Sequence, residues 1–185
     1  MANTESNMLP LGTKAPHFTL YDTVSENMYS LDELKGDKGT VVMFICNHCP
    51  FVKHVNKEIS RMAKQYTPVG IKFIAISSND VENYPDDAPD KMKENAKEQD
   101  FIFPYLYDES QEVAKAFDAA CTPDFYVFND RMELIYRGQL DSSRPQNDLP
   151  VTGKDLRTAI NSLLTGIPLK IDQKPSIGCN IKWKK

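Results

Sequence analysis

No stretch of this sequence approaches the roughly 18 consecutive apolar residues that cross a membrane, which predicts no membrane partner. A basic stripe is missing too, apart from the closing "KWKK". With 22 Lys and Arg against 26 Asp and Glu, a net charge of -4, nucleic acid is not expected as a partner. The polar start "MANTESNMLPLGTKAPHF" lacks the charged head, apolar centre and small-residue cleavage site of a secretory signal, so the expected compartment is the cytoplasm. Cysteine is scarce: four in 185 residues are too few for a disulfide scaffold, and a reducing cytoplasm disfavours structural bridges. Repeats, low-complexity tracts and long linkers are also lacking. The length suits one domain over 1–185, with a core from about residue 10 to 166 and a C-terminal extension over 167–185.

What is present reads as alternating strands and helices. "PHFTLYDT" and "NMYSLDEL" predict a strand pair running into a helical turn capped by Ser30. "TVVMFIC", residues 40–46, is β-branched and continuously apolar, the pattern of a strand covered on both faces. Val52, Val55, Ile59, Met62 and Tyr66 then recur at spacings of three and four, an amphipathic helix ending before Pro68. "IKFIAIS", residues 71–77, returns as a strand, so a parallel βαβ crossover is expected. "APDKMKENAKEQ" predicts a surface helix, "FPYLYD" a short strand and "DESQEVAKAFDAA" a helix with Asp108 and Gln111 as a capping box. "DFYVFND" and "MELIYRGQL" predict a hairpin, and "TGKDLRTAINSLLTG" a helix capped by Thr152 and closed by Gly166. The tail "IPLKIDQKPSIGCNIKWKK" has no clear period. The expected class is α/β, a central mixed sheet flanked by helices, with an N-terminal strand pair and an inserted α/β segment.

Chemistry concentrates in "ICNHCPFVKH", residues 45–54. A Cys-x-x-Cys pair after a buried strand and before a helix sets its thiols where unpaired N–H groups and the helix dipole favour a negative charge. Thiolate is the reactive form, so the location activates them. Pro50 belongs in a first helical turn, which suggests Asn47 as the N-cap and leaves Cys46 just outside, the more accessible thiol. Cys46 is therefore the expected attacking thiolate, Cys49 its resolving partner, and a cationic His48 a stabiliser of the charge. His54 falls on the polar side of the helix and is expected in solvent. Isolated buried cysteines are commonly core residues, but two at this spacing and location point to function. "CTPDFYVF" adds Thr122-Pro123 directly before a strand, a place for a special backbone conformation such as a cis peptide.

With these motifs the chain resembles the thioredoxin superfamily, and within it the peroxiredoxin-like proteins of the redoxin group, from "LGTKAPHFTL" to "TAINSLL". The resemblance implies a thioredoxin-like fold in which Cys46 and Cys49 face a loop carrying Thr122 and a cis-Pro123. Cys49-Pro50 is similar to the peroxidatic cysteine and proline of peroxiredoxins. That family has Thr or Ser where Cys46 stands and proline where Val42 stands, and its activating arginine falls near Pro123. The departures imply peroxide reduction of lowered efficiency unless Arg137 or Arg144 substitutes. Relative to thioredoxin, Ile45 and Asn47-His48 replace the aromatic residue and the Gly-Pro spacer, so His48 or Asp124 is expected to handle protons.

The function expected is thiol-disulfide exchange without a cofactor, on protein or small-molecule disulfide and thiol substrates, with a cellular thiol as reductant. Asn79, in "SSND" after the second central strand, is expected with Thr122 and Pro123 to line the substrate groove, since ligands bind beyond the carboxyl ends of such strands. An alternative is copper or zinc held by Cys46, Cys49 and His48 or His54. Copper-delivery proteins of the Sco type share a related fold, but have three residues between their cysteines. A third reading is a member of the fold that binds partners without chemistry. Cys121 is expected as a small buried residue, and Cys179 receives no role.

Overall fold

The computed structural model describes residues 3–185. Its strands and helices are β1 (Thr4–Glu5), β2 (Thr19–Asp22), β3 (Asn27–Ser30), α1 (Leu31–Leu34), β4 (Gly39–Phe44), α2 (Pro50–Tyr66), β5 (Ile71–Ser77) and α3 (Pro89–Glu98). They continue with β6 (Tyr105–Tyr107), α4 (Glu112–Ala116), β7 (Cys121–Thr122), β8 (Asp124–Asn129), β9 (Leu134–Gly138), α5 (Lys154–Thr165) and β10 (Ile177–Asn180). Seven strands form the main sheet in the order β3-β2-β6-β5-β4-β8-β9. The contacts β4 to β5 and β5 to β6 are parallel and the others antiparallel, so the sheet is mixed.

The continuous apolar run at β4 has the expected cause. Val41 and Met43 point into one core with α2 and α5, while Val42 and Phe44 point into a second with Leu31 and Ala114 of α1 and α4. Alternation between two buried faces requires apolar residues at both parities. In α2, Val52, Val55, Ile59, Met62 and Tyr66 are all buried, and each such side chain adds about 1.5–3 kcal/mol through apolar burial. Ser30 caps α1 in a full capping box with Glu33, and Gly166 closes α5 in the left-handed conformation.

Three local expectations are corrected, and the tail gains a structure that its sequence did not indicate. The N-cap of α2 is Cys49, not Asn47, and Pro50 opens the helix. Thr152 does not cap α5: Gly153 occupies the cap, and the Asp141 carboxylate accepts hydrogen bonds from the Thr152 and Gly153 amides at 2.7 Å each. Asp108 and Gln111 do not form a capping box. Asp108 accepts from Val113 and Ala114 in the first turn of α4, whereas Gln111 is itself the cap residue and reaches the backbone of Ser78 and Lys182. Finally, the tail is ordered by pairing that periodicity cannot reveal. β10 lies between β1 and β7 in a separate three-stranded sheet.

Candidate active site

β4 and β5 deliver the chain to the site, and Ile45 extends their ladder by donating its amide to the Ile76 carbonyl at 3.0 Å. The next residues do not enter the helix, because a carboxylate captures their amides. Asp87 accepts from Asn47 N at 2.7 Å and His48 N at 3.3 Å. The Asn47 side chain is also engaged, donating to the Asp86 carbonyl at 2.9 Å and accepting from the Tyr105 hydroxyl at 3.0 Å. Helix geometry therefore begins only after Cys49, whose carbonyl accepts from Val52 and Lys53. This is why a cap assigned from local preference fell two residues early.

The Thr122–Pro123 peptide is cis, and its loop meets both cysteines. Thr122 Oγ1 is 3.4 Å from Cys46 Sγ, and the Thr122 carbonyl accepts from Cys49 Sγ at 3.3 Å. On the other side of Cys49 is a third thiol: Cys179 Sγ, carried by β10, is 2.8 Å from Cys49 Sγ. The register pairing Cys179 with Thr122 fixes this approach. Relative exposure is 1% for Cys46, 0% for Cys49 and 4% for Cys179, so the expected difference in access between Cys46 and Cys49 is negligible. All three are roofed over.

The downward pKa shift falls on the middle sulfur. Contact with the Cys46 thiol lowers the Cys49 pKa most, and after opposing desolvation the Cys179 thiol and the Val52 amide lower it further, to about 5. Cys46 is pushed well above its ordinary value, chiefly by the adjoining Cys49 and by burial, and burial with Cys49 pushes Cys179 up to about 12. The two thiols shift in opposite directions, and the lowered value falls on Cys49 rather than on Cys46, the thiol expected to carry the charge. Cys49 sits at the start of α2, where the helix dipole assists.

His48 Nδ1 is 2.5 Å from Asp87 Oδ2, and this hydrogen bond raises the imidazole pKa against desolvation. The ring stacks on Tyr84 with centroids 5.7 Å apart, and Lys182 Nζ lies 5.5 Å from the Tyr84 ring centroid. Asn79 donates to Asp87 at 2.8 Å and accepts from Lys182 N at 2.8 Å. Buried and occupied at both ends of its amide, it does not line a substrate groove but ties Asp87 to the C-terminal segment. Ligand atoms of Cys46, His48 and Asp87 lie within 4.8 Å of one another, a set able to hold a metal ion.

The other expected participants are engaged elsewhere. His54 is partly buried rather than solvated, its Nε2 3.1 Å from Ser143 Oγ. Asp124, with its pKa raised to about 6 by burial, pairs with fully buried Arg137 at 2.8 Å. Arg137 also lies over the Tyr126 ring, and Arg144 donates to Gln139, Asp141 and Ser143. Cys121 is buried, as expected, and burial raises its pKa. Sequence reasoning missed Asp87, Tyr84 and the role of Cys179. Asp87 was legible only as an acidic turn in "YPDDAP", and Cys179 as an unassigned cysteine.

Among the described residues, no helix is long and apolar enough to cross a membrane. No curated protein matches the chain. A solved structure of an uncharacterized conserved protein from Geobacillus kaustophilus is 58% identical, with TM-score 0.98, covering 100% of this chain and 97% of the other. A hypothetical protein from Sinorhizobium meliloti 1021 is 42% identical, with TM-score 0.95 and 98% of each chain covered. The peroxidoxin BcpB of Mycobacterium tuberculosis, 17% identical with TM-score 0.64 over 85% of this chain and 98% of that one, shares the fold. The thioredoxin domain of a thiol-disulfide oxidoreductase from Bacteroides vulgatus, 16% identical with TM-score 0.59 over 74% of this chain and 91% of that one, shares it as well. The AhpC/TSA family pattern matches residues 11–137. The chain belongs to the AhpC/TSA family and has the thioredoxin-like fold of the redoxins.

Proposed function

We propose that the protein is a thiol-disulfide oxidoreductase working through the Cys46–Cys49 pair, without a cofactor. The observation that carries this reading is the Cys49 thiol at the start of α2, its pKa lowered to about 5 and its sulfur in contact with Cys46. Cys49 thiolate attacks one sulfur of a substrate disulfide, and the released substrate thiolate takes up a proton. Cys46, losing its proton, attacks Cys49 Sγ in the mixed disulfide, releasing the second substrate thiol and closing Cys46–Cys49. His48, whose pKa is raised by Asp87 and whose ring lies within 4.8 Å of the Cys46 sulfur, is the group that takes the proton. A cellular dithiol reverses the last steps.

This order gives Cys49 the first attack and Cys46 the resolution, the reverse of the assignment suggested by sequence. The lowered pKa of Cys49 supports it. Because the thiols are covered, the site must open before a substrate disulfide can enter, and β10, whose Cys179 lies against Cys49, is the segment assigned to move. The partners are protein or small-molecule disulfides and thiols. The other engagements of Arg137 and Arg144 favour exchange over peroxide reduction.

Titration in glutathione buffers, with alkylation and mass mapping, tests the reading. One reversible Cys46–Cys49 disulfide is expected in Cys179→Ser protein. Cys46→Ser combined with Cys179→Ser is expected to hold a substrate as a mixed disulfide at Cys49. In the same Cys179→Ser background, capture at Cys46 in Cys49→Ser with none at Cys49 in Cys46→Ser would restore the opposite order, and no reversible disulfide would remove the function. The second reading, a copper or zinc site, is favoured by the grouping of Cys46, His48 and Asp87. Stoichiometric metal on the purified chain, protecting Cys46 from alkylation, would select it.

A further inference from the structure

The exchange reading uses two thiols, yet three sulfurs are in series at this site. The distance of 2.8 Å between Cys179 Sγ and Cys49 Sγ is well inside non-bonded sulfur contact and needs little movement to become a bond. Two observations show that the approach is built. β10 is registered so that Cys179 faces Thr122, the residue whose carbonyl also receives the Cys49 thiol. Its neighbour Gly178 is packed so closely that a Cβ there would lie 1.8 Å from the Thr122 carbonyl oxygen. Only glycine lets the strand come down far enough for Cys179 to reach Cys49.

We propose that Cys179 is a third redox thiol of the site, which takes the Cys49 sulfur from Cys46 by internal exchange. The inference rests on the oxidoreductase reading above. Once Cys46–Cys49 has formed, Cys179 loses its proton to solvent and attacks Cys49 Sγ. The Cys49–Cys179 bond forms, the Cys46–Cys49 bond breaks, and Cys46 leaves as a thiolate that takes up a proton. One disulfide is consumed and one formed, so no outside oxidant or reductant enters the step. Oxidation of Cys49 removes the negative charge that holds the Cys179 proton in the reduced protein. The exchange stores the oxidised state between α2 and the C-terminal strand, and returns Cys46 as a free thiol beside His48.

A purely structural Cys179 would only hydrogen-bond with Cys49 and never share a covalent bond with it. The two roles separate in the metal-free full-length chain, oxidised in glutathione buffer, alkylated, and digested with trypsin without reduction. Cys46 and Cys49 share the tryptic peptide 39–53, while Cys179 lies in 171–182. Wild-type protein is expected to yield both an internally bridged 39–53 and a cross-link of 39–53 to 171–182. Cys46→Ser is expected to retain the cross-link, and Cys179→Ser to lose it while keeping the internal bridge. If wild type gives only the internal bridge, or if Cys46→Ser leaves Cys49 free or glutathionylated, the third-thiol role is overturned and the pair mechanism stands. If Cys179→Ser forms no internal bridge, the pair mechanism itself fails.

Discussion

At the scale of single residues, the site is organised by charge. The Cys49 pKa is lowered from 9.0 to about 5, so its contribution to stability is present in full above about 9 and is lost as the pH falls through about 5. The stability difference between wild type and Cys49→Ser should therefore grow with pH across that window. Thiolate absorbance near 240 nm should rise with a midpoint near 5 in wild type and lose that step in Cys49→Ser; a first step near the ordinary thiol value would contradict the assignment. His48 carries the opposite sign. Its pKa is raised above 6.5 by Asp87, so its contribution is present below that value and lost as the pH rises through the raised one. Asp87→Asn should move the His48 ring titration, followed by NMR, back toward the ordinary histidine range. Asp87→Ala should cost about 3–5 kcal/mol in denaturant unfolding, because a buried partner is removed from His48, Asn79 and two backbone amides.

At the scale of elements, β10 packs against Cys49 and the Thr122 loop, and its fit depends on one backbone position. A methyl group at Gly178 collides with the carbonyl of Thr122, a backbone atom that cannot rotate away. Gly178→Ala should lift the strand, destabilise the fold by about 1–3 kcal/mol, and speed alkylation of Cys49 in the reduced protein. Unchanged alkylation would mean that β10 does not limit access. The segment after β5 acts on the same site from the other side, since it brings in Asp87, whose capture of the Asn47 and His48 amides delays the start of α2.

At the scale of the whole molecule, the two cores on either face of the main sheet hold β4 in place, and β4 leads directly into the cysteine pair. A buried ion pair adds a constraint behind the cis-proline loop. Arg137 binds Asp124 and the Asp118 carbonyl, and lies over Tyr126 with its charge centre 4.4 Å from the ring centroid. Arg137→Leu should destabilise the chain by about 3–5 kcal/mol, because Asp124 would be left buried without its partner. The urea midpoint measures the loss. Acid should relieve part of it, since a protonated Asp124 no longer needs a cation; a loss independent of pH would point to packing alone.

The central strands, the amphipathic α2, the Ser30 cap of α1, the hairpin and the Gly166 stop were legible in the sequence because each rests on a local cause: period, cap chemistry or turn chemistry. The cysteine pair and the Thr122-Pro123 loop were legible for the same reason. Tertiary structure decided where α2 begins, because Asp87 comes from 39 or 40 positions away to bind its leading amides. It decided which thiol has its pKa lowered, because that depends on what surrounds each sulfur rather than on order in the motif. It also turned Cys179 from an unassigned tail cysteine into a neighbour of Cys49, 130 residues distant in sequence. Spacing along the chain records local geometry, whereas a strand such as β10 carries no period that announces the groove it fills.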